Sequence, residues 1–493
     1  MNSKFKSYKL IGYYLGIFTM MIGLIILFPL IMLIFYPEES NNAYCFIIPG
    51  ISLIFLGYLC HFFFKDVQKD NLQKGQDSLL VVLVWIISII SSAFPFMLIK
   101  DPTTGKHIYN FTQAVFECTS GYTTTGLSVV DVSTTPKIFL FFRSVMLFVG
   151  GVGLVLVLTA AISDRYGLRL YNAEGHNDKL LPNLAKSARL ILAIYSGYIL
   201  LGTIAYCIAG MSLFDALNHS IAALSTGGFS TRAENILYYH SVAIDIISDV
   251  LMLLGSTNFM IHLYLVRGKL KYVWKHVETR FLLISFIILV PILTAILFVT
   301  NYADFGNSLN MSVFNFITCL TTTGFSNIPD FNELPHSAMT ILIILMLIGG
   351  GIGSTAGGIK QYRVCTTIKG MYYTYKQKLF PSKTISSHYV SRVGQVEELT
   401  DDEIHQNYSY VFIYLTIFLV GSFIFTCFGY TLEQSMFEFA SSIGTVGVTV
   451  GITGYSAHPV ILWTSTIGMF LGRLEIIVVF NAIARIKKDV VRK

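Results

Sequence analysis

The sequence predicts an all-α membrane protein of ten transmembrane spans. Eight of them form four pseudo-symmetric span–loop–span repeats around one axis, behind two additional N-terminal spans. Three observations predict this. The 493 residues are 54% hydrophobic and only 13% charged, with a mean hydropathy of +0.64; a water-facing surface needs about twice that charge. Apolar runs of roughly twenty residues recur, the length that crosses about 30 Å of hydrocarbon. One short pattern, Thr-x-Gly followed by an apolar residue, returns four times at matching places. Together they exclude a cytosolic enzyme, a disordered chain and a nucleic-acid binder.

The runs place spans near 10–36, 44–64, 79–99, 138–162, 188–210, 242–266, 281–300, 338–375 (interrupted), 408–429 and 459–484. The first follows Lys4, Lys6 and Lys9 and, at about 27 residues, is too long for a signal-peptide core. With the N-terminus inside, segments 1–9, 65–78, 163–190, 267–280, 360–407 and 485–493 carry 28 of the 34 Lys and Arg residues. Only Lys100, Lys106, Lys137, Arg143, Arg232 and Arg473 fall elsewhere. The net charge of +6 is therefore a topology signal, and both termini are expected on the cytoplasmic side. The seven Cys lie scattered, mostly in apolar runs, and read as small packing residues rather than paired ligands.

The repeated element is an aromatic-bearing amphipathic stretch that ends in Thr124-Thr125-Gly126, Thr226-Gly227-Gly228, Thr322-Thr323-Gly324 and Thr445-Val446-Gly447. Each lies between one span and the next. The units are 71–170 with its loop near 111–130, 180–270 with its loop near 213–232, 278–378 with its loop near 310–328, and 405–493 with its loop near 433–452; residues 1–70 stand outside the repeat. About twelve residues cannot cross a bilayer as a helix, so each stretch dips in and returns as extended chain. Such backbone is tolerated at membrane depth only when buried in protein or lining water. Four of them around one pore would offer a ring of carbonyls able to replace a cation's hydration shell, with the half-helix dipoles ending toward it.

Four span–loop–span units in one chain, each with a single loop glycine, resemble the Trk/Ktr/HKT superfamily of potassium transporters. The two extra N-terminal spans make the chain similar to the TrkH/TrkG branch. The resemblance runs from about residue 10 to 485. It implies K+ as the permeant ion, carried past the backbone carbonyls of the twelve residues above. Glycine at all four filter positions goes with potassium preference in that family. It further implies a multi-pass protein of the bacterial inner membrane, not an enzyme, assembled as a homodimer. Any nucleotide would be bound only through a separate cytoplasmic regulatory ring of the TrkA type, docked on the basic inner loops.

The eighth span breaks at Gly349, Gly350, Gly351, Gly353, Gly357 and Gly358, before Lys360; each glycine costs a helix roughly 1 kcal/mol relative to Ala. Dinucleotide and P-loop look-alikes fail there, because apolar span surrounds the run and Ile359 stands where a P-loop has its Lys. The expected reading is a flexible loop over 349–358 that obstructs permeation from beneath the filter, as in the family. Arg473, inside the last span, is costly in lipid and matches the family's cationic residue at the gate. Its near neighbour Glu475 lies on another face. Asp245 and Asp249 share a face of the sixth span and either concentrate cations or pair with Arg143 or Arg232. His219 reads as a packing residue. The alternative mechanism is symport of K+ coupled to H+ or Na+, since coupled transporters also use broken helices.

Overall fold

The computed structural model describes residues 2–65, 75–101, 104–154, 184–379, 389–393 and 395–491, and their regular structure is almost wholly helical. Helix α1 (Asn2–Leu27) passes through a 3-10 turn (Phe28–Ile34) to a second one (Pro37–Asn42), and α2 (Tyr44–Phe63) runs back along it. Glu39, in the second turn, accepts hydrogen bonds from the backbone nitrogens of Lys137 and Ile138 at 2.8 and 2.9 Å. A carboxylate from the N-terminal pair thus caps the first turn of a later helix, where orphan N–H groups and the helix dipole favour an anion.

The rest of the chain repeats one design. In the first unit, α3 (Gln76–Leu98) is followed by a short α4 (Phe111–Tyr122) and then α5 (Lys137–Val152). The second has α6 (Leu184–Ile208), α7 (Leu213–Leu224), α8 (Val242–Gly255) and α9 (Phe259–Val266), after which α10 (Leu270–Lys275) leads on. The third has α11 (Val277–Val299), α12 (Phe305–Leu320), α13 (His336–Ile348) and α14 (Gln361–Leu379). A two-stranded antiparallel hairpin, β1 (Tyr389–Arg392) with β2 (Gln395–Glu398), precedes the fourth. That unit has α15 (Asp401–Thr426), α16 (Leu432–Ile443), α17 (Pro459–Leu474) and α18 (Ile476–Val491).

Among the described residues six helices are long and apolar enough to cross a membrane: Tyr8–Ile34, Tyr44–Phe63, Gln76–Leu98, Ala188–Ile208, Val277–Val299 and Asp401–Thr426. The sequence suggests one interrupted span; the structure has more. The runs 242–266 and 459–484 are not continuous helices: α8 and α9 meet at 113°, α17 and α18 at 98°. Helix α5 also stops, at Gly153 with φ +107°; residues 155–162 of that expected span lie outside the described residues. The second and fourth breaks are hard to read because, unlike the first (Gly150, Gly151, Gly153) and the third, neither is rich in glycine. The second is made by Asn258, whose side chain accepts from the Met260 nitrogen and starts a new helix. The fourth is made by Glu475, a single residue at φ +61°.

The units pack in a cycle. Helix α5 lies against α7, α8 against α12, α13 against α16, and α17 against α4. The helix that follows each short helix, α5, α8, α13 or α17, therefore supports the next unit's short helix, and the fourth returns to the first. The largest apolar cluster runs through the second, third and fourth units; another joins the N-terminal pair to the first.

Candidate functional site

The four short helices are started by the same device. Asn110, Ser212, Asp304 and Thr431 each accept a hydrogen bond from a first-turn backbone nitrogen, and Asn110 and Thr431 complete capping boxes with Gln113 and Gln434. At about 1.5 Å per residue the twelve residues of α4 reach only about 18 Å, little more than half of a bilayer core.

They also end identically. Thr124, Thr226, Thr322 and Thr445 donate N–H to Gly121, Ala223, Cys319 and Ser442. The next residue donates five back, Thr125 to Ser120, Gly227 to Ala222, Thr323 to Thr318 and Val446 to Ser441, at 2.8–2.9 Å. This closing pattern ordinarily puts glycine in the left-handed position. Here the position holds threonine four times, with φ of +53, +51, +56 and +53°. A β-branched residue there is an outlier that costs about 1–2 kcal/mol. All four threonines are fully buried. Strain repeated at equivalent places marks a site whose side chain is needed.

Two residues on, Gly126, Gly228, Gly324 and Gly447 have φ of +93, +62, +85 and +106°. A Cβ on Gly126 would run into the backbone oxygen of Gly227, one on Gly228 into that of Thr323, one on Gly324 into that of Val446, and one on Gly447 into that of Thr125. Each glycine thus abuts the residue preceding the glycine of the next unit, and the fourth abuts the first. The twelve residues singled out by the Thr-x-Gly pattern are brought together in one closed ring. An open cavity of about 720 Å³ reaches two of its glycines, Gly324 and Gly447, from the side of Asp330 and Asn332.

Nine residues before each glycine stands a buried polar residue: Glu117, Asn315 and Glu438, which the sequence reading passed over, and His219, which it took as packing. Each ties its short helix to the chain leaving the ring. Glu117 accepts from Ser128 Oγ, the Val129 nitrogen and Arg143 Nε. His219 Nε2 lies 3.0 Å from Ser230 Oγ, and Asn315 Nδ2 donates to Asn327 Oδ1 at 2.8 Å. Glu438 accepts from Thr449, the Val450 nitrogen and Thr453. The signal was present, two glutamates at one offset from two glycines, but His and Asn at the other two hide it. Arg143 crosses between units, donating to Ser230 O and lying 3.9 Å from the Phe229 ring.

Neither Asp245 nor Asp249 forms an ion pair with Arg143 or Arg232, so that expectation is corrected. Arg143 belongs to Glu117, and Arg232 to Asp215 at 2.7 Å. Burial alone would raise the Asp215 carboxyl, but hydrogen bonds from Thr231 and Arg232 hold it below the ordinary carboxylate range. Asp245 instead accepts from Asn310 at 2.7 Å.

Directly beneath the ring lies the glycine-rich segment. Its neck is a contact between Gly349 and Gly358, where a Cβ on Gly358 would come within 2.6 Å of Gly349 Cα. The Gly357 nitrogen donates to Thr322 Oγ1 at 2.7 Å, and Thr355 Oγ1 lies 3.0 Å from Thr226 Oγ1. Thr124 Oγ1 and Thr445 Oγ1 have no hydrogen-bond partner. The Gly351 nitrogen donates to Ser256 O, and that of Thr355 to Gly255 O. Gly350 and Gly353 complete the segment, the latter accepting from the Phe259 nitrogen at 2.8 Å. The glycines thus permit close approach and left-handed backbone within a well-bonded loop, rather than leaving it slack.

Arg473 holds this loop from below. Its Nη1 donates to Thr355 O at 2.6 Å, and its Nη2 to the carbonyls of Gly150 and Gly151 at the end of α5. Lys360 Nζ donates to Ala356 O. Glu475 is paired elsewhere, with Arg363 at 2.8 Å. Among the described residues no group of three or more His, Cys, Asp or Glu could hold a metal ion, and seven free cysteines form no disulfide.

A family model described as TrkH, cation transport protein, matches residues 45–491. The chain is 29% identical over 482 residues to the Trk system potassium uptake protein TrkG of Escherichia coli, covering 95% of this chain and 96% of that one. It is 28% identical over 476 residues to an uncharacterized cation transporter of Methanocaldococcus jannaschii, covering 96% and 94%. The crystal structure of the potassium transporter TrkH from Vibrio parahaemolyticus superposes with a TM-score of 0.83 at 24% identity over 96% of this chain and 98% of that one, which establishes the shared fold. The chain belongs to the TrkH family of cation transport proteins.

Proposed function

We propose that this chain is a channel-like potassium transporter that admits K+ through the ring formed by its four Thr-x-Gly segments. The observation that carries this reading is the fourfold recurrence of a left-handed, buried threonine two residues before a positive-φ glycine, closed into a cycle of backbone contacts. Backbone carbonyls and threonine hydroxyls are hard oxygen donors suited to replacing the hydration shell of an alkali cation. The C-terminal ends of α4, α7, α12 and α16 would add partial negative charge there. The names of the relatives, potassium uptake protein and potassium transporter, support K+ as the ion.

In this reading the filter is Thr124, Thr125, Gly126, Thr226, Gly227, Gly228, Thr322, Thr323, Gly324, Thr445, Val446 and Gly447. The gate is the 349–360 segment with Arg473. Eight of the ten spans form four pore-loop repeats behind an N-terminal pair in a bacterial inner membrane, with both termini cytoplasmic. A homodimer and a TrkA-type nucleotide-binding ring on the inner face complete the assembly. Passage is down the electrochemical gradient, where about 2.3 kcal/mol per charge per 100 mV favours uptake.

Growth of an uptake-deficient cell at limiting potassium tests the reading. The parent chain restores growth, and Gly447→Ser, which adds a side chain against Thr125 O, reduces rescue and admits sodium. Absence of rescue by a correctly inserted parent chain would overturn the proposal. Currents in a lipid bilayer that persist without a proton or sodium gradient separate it from symport.

A further inference from the structure

The hairpin of β1 and β2 is joined to the glycine-rich loop by a chain of buried polar contacts that neither the filter nor Arg473 requires. The backbone nitrogen of Val393, at the hairpin turn, donates to His276 Nδ1 at 3.2 Å. With Nδ1 accepting, Nε2 carries the imidazole hydrogen and donates to Glu278 Oε2 at 2.9 Å. The other carboxylate oxygen accepts from the backbone nitrogen of Ile352, in the loop, at 2.8 Å. His276 is 2% exposed and Glu278 5%, so the bond between them is made away from water, and those to Val393 and Ile352 are part-buried. A second connection runs parallel: Tyr264 Oη donates to Val393 O at 3.3 Å, and Asn258 and Phe259, at the start of the same helix, hold Ile352 O and Gly353 O at 2.6 and 2.8 Å. Strand β2 is exposed along its whole length.

We propose that His276 and Glu278 are positioning residues that make the loop's seat beneath the ring depend on the seat of the hairpin. This rests on reading the loop as a gate and names how its position is controlled. A partner that shifts the exposed strand moves Val393, withdraws its N–H from His276, and so loosens the carboxylate that anchors Ile352. The order of donors makes the link specific. A glutamine at 278 keeps an oxygen for Ile352 but turns an N–H toward His276. The imidazole must then carry its hydrogen on Nδ1, where it meets the Val393 N–H donor to donor.

The test is tracer K+ flux into liposomes holding the full chain, for Glu278→Ala, Glu278→Gln and His276→Ala, each also in a chain lacking residues 351–357, with flux normalised to folded protein. Glu278→Ala loses a charge-assisted bond at each end and should raise flux about tenfold. Glu278→Gln and His276→Ala break only the hairpin side and should raise it about threefold. The K+:Na+ ratio should stay at the parent's value in all three. In the shortened chain none of the three should change flux further, because their route of action is gone. Effects that persist there, or full-length variants whose flux equals the parent's while the shortened chain conducts more, overturn the relay alone. A shortened chain whose flux does not rise overturns the gate reading, and this inference with it.

Discussion

The ring of Thr-x-Gly segments and the layer directly beneath it obey different symmetries. In the ring, four threonines share one φ to within 5°, four glycines share the positive-φ region, and each unit touches the next in the same way. In the layer below, the helices α5, α8, α13 and α17 all end at corresponding points, yet no two of the breaks are alike. They consist of Gly153, of Ser256 to Asn258, of the glycine-rich stretch to Lys360, and of Glu475 alone. Among the described residues only the third inserts a segment under the ring, and it hydrogen-bonds two of the four threonine hydroxyls, Thr226 and Thr322, while those of Thr124 and Thr445 have no hydrogen-bond partner, Gly357 lying against the latter. Selection of an ion needs equal ligands on every side. Obstruction needs one object in the way. In the proposed function the two layers would divide those tasks.

Five substitutions, in three comparisons, break or sharpen this division. The largest effect is expected at the ring itself. Gly324→Ala forces a Cβ onto Val446 O at φ +85°, and Gly228→Ala does the same onto Thr323 O. Each should lower the K+:Na+ permeability ratio by about tenfold, as a 1–2 kcal/mol distortion would. Matching losses uphold the symmetry, whereas a neutral result at one position would show that the four quadrants are unequal. Next comes Arg473→Gln, which removes charge-assisted bonds to Thr355 O and to the α5 carbonyls. Such bonds contribute about 1.5–3 kcal/mol each, so flux should rise about tenfold or more at an unchanged permeability ratio. A changed ratio would place Arg473 in the selective layer. The smallest effect separates two threonines of equal backbone. Thr322→Val loses the bond from Gly357, about 1 kcal/mol, and should raise flux about fivefold. Thr124→Val, whose hydroxyl has no hydrogen-bond partner, should leave the closed fraction as it was.

The symmetric layer was legible in the sequence because it depends on residue types that the backbone demands. Glycine where a side chain would strike the neighbouring carbonyl, and a strained threonine two residues before it, have no substitutes with the same geometry, so the pattern shows as letters. The short helices were legible too, from their length, although the caps Asn110, Ser212 and Thr431 at their starts went unread. The struts Glu117, His219, Asn315 and Glu438 were not, since any buried hydrogen-bonding side chain can tie a helix to the strand after the ring. The bends at Ser256–Asn258 and Glu475 escaped notice for a related reason. A helix that stops and restarts within an apolar run keeps its hydropathy, and the cause is an N-cap or one left-handed residue. The paired fates of Arg143 with Glu117 and Arg232 with Asp215 depend on which units adjoin, information that spacing along one helix does not carry.

The closed ring of four glycines has a consequence for heredity. A pore assembled from four copies of one subunit receives every substitution four times, so any change to its control also arrives in every quadrant. Here all four quadrants are written in one reading frame, and a mutation alters a single wall. Four loops like residues 349–358 would contend for the space that one fills. Joining the quadrants in one polypeptide lets three of them leave that space to the fourth.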